Sequence, residues 1–357
     1  MAAAPPRGGV VTTVAARVVG CKVNQADSEA ALAALAAAGL SPTRGSGAAD
    51  VVVVHTCCVT AEAERSSRQA VRRARAAAGR VLVAGCAARL RPGQFAGEGV
   101  TVLPEPDWAA VARELGGGAA AAPTAPPPRR RTRALVKVQD GCAGACAYCA
   151  VRVVRGRPRS TPLAEVLAAV RRALDEGCGE VVLTGIDLGA WRDGERRLPD
   201  LVAAVAELPS VCEHVHLPAQ AGSDRILRAM RRGYTAAAYL ERVRALRAAV
   251  PDVSITTDLI AGFPGETEED FALTLDLVRE ARFDAAFTFV YSPRPGTRAA
   301  ELPDQVPEEV RTERVERLID VTQELALASR RAWVGRRAEV LVEGVSRDGR
   351  LHRGRTR

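Results

Sequence analysis

The stretch DGCAGACAYCAVRV begins at Asp140 and sets Cys142, Cys146 and Cys149 in a C-x3-C-x2-C pattern. Thiolates are soft-metal ligands, and a four-iron cluster ordinarily takes four of them. Three thiols within eight residues leave one iron exchangeable, by the logic that keeps a catalytic zinc open. Ala143, Gly144 and Ala145 are small and suit a loop wrapped tightly around a bulky inorganic core. A zinc ion with a distant fourth ligand is the competing chemistry. The position directly after a strand-like segment favours the cluster.

Three more cysteines close strand-like segments: Cys21 in GCKVNQADSE, Cys57 in HTCCVTAEAERSSRQ and Cys86 in AGCAARL. Parallel strands present such residues together at one sheet edge, the usual ligand-binding edge of such folds. A second three-thiol site is expected there. Cys58 points to the opposite face if the strand continues, and is expected to be a buried small residue. Cys178 and Cys212 read as packing residues.

The elements that must carry these thiols alternate. In residues 10–115, VVTTVAARVVGC, DVVVVHTC and VLVAGC read as strands, and DSEAALAALAAAG (closed by Gly39) and AEAERSSRQAVRRARAAAG as helices. This is α/β layering with parallel strands. Gly, Pro and an Arg run make 116–133 a moderately stiff linker. Five strand–helix units follow from 134, with strands in ALVKVQDGC, EVVLTGIDL, HVHLPAQ, SITTDLIAGFPG and AAFTFVYS, the pattern of a barrel or part-barrel. A helical stretch (307–332) leads to RAEVLVEGVSRDGRLHRGRTR, which reads as a β-hairpin.

The 357 residues are 47% hydrophobic and 26% charged, ordinary for a globular chain. A net charge of +8 suits a polyanionic partner or, equally, solvated helix faces. No apolar run approaches the ~18–20 residues of a membrane span, and the N-terminus lacks a signal-peptide core. Nine cysteines without an export signal point to metal or redox chemistry rather than disulfides, and to a cytoplasmic protein.

With these motifs in hand, the chain resembles the methylthiotransferases of the radical S-adenosylmethionine superfamily. KVQDGCAGACAYCAVRVVRGRPRS is similar to the family's cluster loop and Arg-rich strand exit. HLPAQAGSD, RRGYTAAAYLERV, TTDLIAGFPGETEEDF and FTFVYSPRPGTRAA follow in family order. The resemblance implies an N-terminal parallel-sheet methylthiotransferase domain (10–115), a linker (116–133), a radical SAM partial (β/α) barrel (134–328) and an incomplete TRAM-like segment (329–357). It implies two 4Fe–4S clusters, one on Cys142, Cys146 and Cys149 and an auxiliary one on Cys21, Cys57 and Cys86. S-adenosylmethionine chelates the open iron of the first and yields the radical that abstracts hydrogen from an unreactive C–H. The second holds the sulfur to be inserted.

The same resemblance places Thr184, Gly185, His216, Gln220 and Arg152 in the cofactor pocket. Arg155 and Arg157 are further candidates for the cofactor carboxylate or a tRNA phosphate. Asn24 sits near the cluster or forms a turn, His214 is structural, Asp258 lies inside the barrel, and Thr267 caps the helix after GFPGET. The expected partners are tRNA, an electron-donor protein and a sulfur source.

GCKVNQ and VVLTGIDLGAW resemble the subgroup that acts on threonylcarbamoyladenosine next to the tRNA anticodon. Isopentenyladenosine, a ribosomal-protein aspartate, and an inactive iron–sulfur tRNA-binding protein are the alternatives. Two departures from the family stand out. One strand–helix unit with its Arg-x-Ser-Ser-x-Glu-Pro motif is missing before HLPAQ, which exposes neighbouring strand edges or forces re-pairing. Only about two TRAM strands fit after Val334.

Overall fold

The computed structural model describes residues 12–43, 49–117, 132–206, 212–346 and 348–356. Residues 118–131, most of the expected linker with its Arg run, lie outside the described residues, as do residues 10 and 11 of the first expected strand and Arg347 of the hairpin. The chain divides into two compact units. The first is formed by residues up to 143 together with 151–205, the second by residues 144–150 together with those from 206 onward.

The first unit is built on a parallel sheet of order β2-β1-β3-β4-β5. Its strands are β1 (Thr13–Val18), β2 (Ser41–Pro42), β3 (Val51–Thr56), β4 (Arg80–Gly85) and β5 (Val100–Val102). The run Val51–Val54 cannot alternate with polar residues, so it needs cover on both faces. As the central strand it has that cover, and all six residues of β3 are buried. Val52, Val54, Val81 and Val83 pack to one side, and Val51, Val53, Leu82 and Leu35 to the other. The helices are α1 (Lys22–Ala37), α2 (Ala61–Arg75), α3 (Cys86–Leu90) and α4 (Trp108–Glu114). Helix α1 begins five residues before the expected DSEAALAALAAAG, because Cys21 is extended and the helix starts directly after it.

The same unit continues with β6 (Arg133–Lys137), β7 (Gln139–Asp140), α5 (Val151–Arg155), β8 (Arg159–Ser160), α6 (Leu163–Asp175), β9 (Glu180–Thr184), the small hairpin β10 (Arg192–Asp193) and β11 (Arg196–Arg197), and α7 (Leu198–Ala206). Strands β6 and β9 pair in parallel. The Arg-rich segment after the cysteine loop forms helix α5 followed by the two-residue β8.

The second unit contains β12 (His214–His216), α8 (Asp224–Ala229), α9 (Ala236–Ala249), β13 (Ser254–Ala261), α10 (Glu268–Ala281), β14 (Ala285–Val290), α11 (Glu308–Arg331), β15 (Val340–Val345) and β16 (His352–Thr356). Strands β12, β13 and β14 form a parallel ladder. Along β13 burial alternates with period two. Ile255, Thr257, Leu259 and Ala261 are buried, and Thr256 and Asp258 face the other side, half-buried. Thr267 caps α10 as expected, in a reciprocal capping box with Asp270. The five strands expected of the barrel are thus all present, as a two-stranded ladder in the first unit and a three-stranded ladder in the second. Strands β15 and β16 form the antiparallel hairpin.

Candidate functional site

In the first unit, β1, β3 and β4 are adjacent and parallel, so their C-terminal ends share one edge. Cys21, Cys57 and Cys86 follow those ends. Two glycines make the close approach possible. Gly85 has φ +93, and a Cβ there would stand 2.6 Å from the Thr56 carbonyl oxygen; Gly20 has φ +117, and its Cβ would stand 2.8 Å from Cys57 Cβ. Only glycine combines that conformation with that proximity. The repeated Gly-Cys dipeptide was therefore a legible signal that the sequence reading passed over.

Asn24 is fully buried in α1 rather than in a turn. Its Nδ2 donates to the carbonyls of Val19 and Thr56, both at 2.9 Å, tying the ends of β1 and β3 together. Asp27, three residues on, lies on the same helix face. Arg155, expected to reach outward to a cofactor or phosphate, is instead 5% exposed and turned toward this edge. Its Nε donates to Cys86 Sγ at 3.3 Å, Nη2 to Asn24 Oδ1 at 2.7 Å and Asp27 Oδ2 at 3.0 Å, and Nη1 to Asp140 Oδ1 at 3.0 Å. Lys137 pairs with Asp27 and, at 3.2 Å, with Asp140.

This wiring sets the thiol chemistry. A hydrogen bond from Cys58 and the charge of Arg155 lower the Cys86 thiol below the usual cysteine range, against the effect of burial. Burial pushes Cys57 up to about 11. Cys58 is buried, as expected, and its proton is retained by the bond to Cys86. Burial pushes Asp140 up, but the charges of Arg155 and Lys137 outweigh it and leave the carboxyl below its usual range. Among the described residues no three His, Cys, Asp or Glu side chains converge on one metal-ion position. A polynuclear cluster spreads its thiolates over separate irons, and the donor set of three thiols at one sheet edge fits that group.

The C-x3-C-x2-C loop begins in this unit. Cys142 donates its backbone N–H to Gly156 and its thiol to Asp187 Oδ2 at 3.4 Å. The buried Gln139 links both segments, donating to the Gly141 carbonyl at 2.7 Å and accepting from the Asp187 N–H at 2.7 Å. Thr184 is buried at the end of β9, with Gly185 directly after it, and Arg152 is exposed on α5.

The second unit holds Cys146 and Cys149. Ala147 between them donates to the Met230 carbonyl at 3.0 Å and accepts from the Ala299 N–H at 2.8 Å. Arg232 Nη1 donates to Cys146 Sγ at 3.3 Å, and its Nε donates to the Tyr234 hydroxyl at 3.0 Å. The guanidinium lies 5.0 Å from the Tyr234 ring centroid. The Tyr234 hydroxyl donates in turn to the Ala219 carbonyl at 2.9 Å. Gln220 follows at once, buried with φ +69, a conformation that costs about 1–3 kcal/mol off glycine. His216 stands 3.3 Å from Asp258 and shares Thr256 Oγ1 with His214. Arg232 and Tyr234 were overlooked in the sequence, although both lie in RRGYT.

The fold is thus α/β with thiols gathered at parallel strand ends, the class of protein that carries iron–sulfur chemistry. Two family models match: Uncharacterized protein family UPF0004 over residues 13–102, and Radical SAM superfamily over 136–198 and 193–278. The tRNA-2-methylthio-N(6)-dimethylallyladenosine synthase of Moorella thermoacetica is 39% identical over 395 residues, covering 95% of this chain and 89% of the relative. Those of Geobacter metallireducens and Mycobacterium bovis are 38% and 37% identical, covering 94% and 97% of this chain and 88% and 82% of the relatives. The chain belongs to the methylthiotransferase family of the radical SAM superfamily. The radical S-adenosylmethionine methyltransferase TsrM of Kitasatospora setae shares the fold, with a TM-score of 0.55 at 13% identity over 82% of this chain and 74% of that one. The M. thermoacetica alignment runs over 395 positions while using 95% of a 357-residue chain, so that relative carries segments without a counterpart here.

Proposed function

We propose that this protein adds a methylthio group to N6-dimethylallyladenosine (isopentenyladenosine) in tRNA. The observation that carries the reading is near-full-length similarity to synthases of that modified nucleoside, joined to two three-cysteine sets. It replaces threonylcarbamoyladenosine as the leading substrate. GCKVNQ and VVLTGIDLGAW remain the features that favour threonylcarbamoyladenosine.

In this reading Cys142, Cys146 and Cys149 hold one 4Fe–4S cluster and Cys21, Cys57 and Cys86 the auxiliary one. Thr184, Gly185, His216, Gln220 and Arg152 line the S-adenosylmethionine pocket. When bound, these groups supply the electron, the radical and the inserted sulfur, with an electron-donor protein and a sulfur source as outside partners. The chain's own residues bind and orient. Gln139 holds Asp187 and the Cys142 loop together, Tyr234 and Arg232 hold Cys146, and Asp258 fixes the His216 ring. Arg353 of the basic hairpin, in the TRAM-like segment, adds a phosphate contact, while Arg355 is paired with Glu343. Among the described residues no helix is long and apolar enough to cross a membrane, and a cytoplasmic site of action suits a tRNA substrate.

The test is anaerobic reconstitution with iron and sulfide, then assay with dithionite, S-adenosylmethionine and tRNA carrying dimethylallyladenosine. Mass spectrometry of the nucleosides should show the 2-methylthio product, and 5′-deoxyadenosine should form. No 5′-deoxyadenosine from fully loaded protein would sink the enzyme reading. A product on threonylcarbamoyladenosine alone would restore the other substrate. Loaded protein should carry roughly eight irons, and Cys57→Ala should remove about half of them.

A further inference from the structure

We propose that Arg155 is the positioning residue of the auxiliary cluster, holding Cys86 in place and linking that edge to the strand that leads into the C-x3-C-x2-C loop. The inference rests on the assignment of Cys21, Cys57 and Cys86 as cluster ligands.

The argument is one of geometry and charge. Arg155 spends four hydrogen bonds on four side chains, from Cys86, Asn24, Asp27 and Asp140. A buried guanidinium is costly unless every donor is met, and a well-packed apolar residue would serve packing alone as well or better. Lys137 and Arg155 face Asp27 and Asp140, with Arg159 3.8 Å from Asp140, three cations against two carboxylates, so the Cys86 sulfur lies beside a guanidinium that is already held in place. Asn24 joins the same network from α1 while pinning β1 to β3. The three sulfurs are thus supported unequally. Cys86 accepts from a charged side chain, Cys57 accepts from the Val59 N–H at 3.5 Å, and Cys21 is exposed. Outer hydrogen bonds of this kind orient ligands and hold metal, and their loss typically costs about 10–100-fold in metal affinity.

The experiment uses the full chain in two backgrounds. In the first, Cys142, Cys146 and Cys149 are replaced by Ala, so that only the auxiliary triad holds iron; in the second, Cys21, Cys57 and Cys86 are replaced instead. Failure of either parent background to hold roughly four irons would refute the ligand assignment itself. With both loaded, Arg155→Gln and Arg155→Lys are introduced, and iron release to a chelator and the electron paramagnetic resonance of the reduced cluster are recorded. Arg155→Gln should weaken retention by the auxiliary triad about 10–100-fold while leaving the other triad's iron in place. Arg155→Lys keeps the charge and should preserve the fold. Its single ammonium cannot reproduce the planar fork, so the auxiliary signal should change and retention should fall between the other two. Wild-type retention and signal in both variants would overturn the proposal. So would equal iron loss from both triads, the outcome of a merely structural role.

Discussion

Arg155 in the first unit and Arg232 in the second each donate to a cysteine sulfur at 3.3 Å, and their surroundings differ. Arg155 is nearly fully buried and meets two carboxylates, an amide oxygen and a thiol. Arg232 is partly buried and rests against the Tyr234 ring, with the tyrosine hydroxyl and Cys146 as its acceptors. The first guanidinium is a junction among distant segments, and its removal would strand charges. The second is a cation on an aromatic shelf, and its removal would strand none of its partners. The same contact to sulfur therefore implies a holding role in one unit and an electrostatic one in the other.

The sharpest way to break this comparison is Arg155→Gln in the cluster-free protein. Removing one member of a buried ion network leaves Asp27 and Asp140 undercompensated, and about 3 kcal/mol should be lost in urea unfolding. A loss of only about 1–2 kcal/mol, the size expected at Arg232, would make the two arginines equivalent.

Burial of an ion pair with no thiol in it is the next test. Glu266 accepts from Arg314 at 3.0 Å and from the Gly262 N–H at 2.7 Å, yet burial pushes its carboxyl up to about 6. A carboxyl raised above its unfolded value of 4.5 favours the fold when protonated. Its contribution is fully present below that value and is lost as pH rises through about 6, up to about 2 kcal/mol. Asp270 runs the other way. Burial pushes it up, but hydrogen bonds from Arg225, Ser223 and Thr267 hold it well below the carboxylate range, so its contribution is lost only in stronger acid. Between pH 4.5 and 6.5 the wild type should lose about 1.5 kcal/mol relative to Glu266→Gln. Parallel pH profiles would show that burial does not penalise this charge.

The smallest effect is expected at Arg232. Arg232→Met removes a cation–π contact and two hydrogen bonds without stranding a charge, so about 1–2 kcal/mol should be lost. With its cluster loaded, loss of the nearby cation should make the reduction potential more negative, as net charge and sulfur hydrogen bonds dictate. An unchanged potential in spectroelectrochemical titration would leave Arg232 a packing residue.

Much of this molecule was legible in order along the chain. The unbroken valines of β3 announced a strand covered on both faces, and Thr267 announced the start of α10. The local pattern fell short at two places. VRVVR carried no expected element, yet it is helical, with Val154 and Arg155 buried together. The first turn of α1 was missed because Cys21 passes from strand to helix with no polar side-chain cap to mark it. The nucleoside was the other shortfall. A few motif residues near Cys21 and Thr184 pointed one way, and near-full-length similarity points the other.

By itself the sequence determined which cysteines the fold could gather. Three thiols within eight residues must lie within one loop, and a cysteine at the end of each parallel strand must reach the shared edge. Tertiary structure alone decided what holds those thiols. Arg155 lies 69 residues from Cys86 and 131 from Asn24 along the chain, separations on which neither helical nor strand periodicity carries information. Only burial, which makes an unpaired guanidinium costly, selects those partners from all the acceptors the sequence offers.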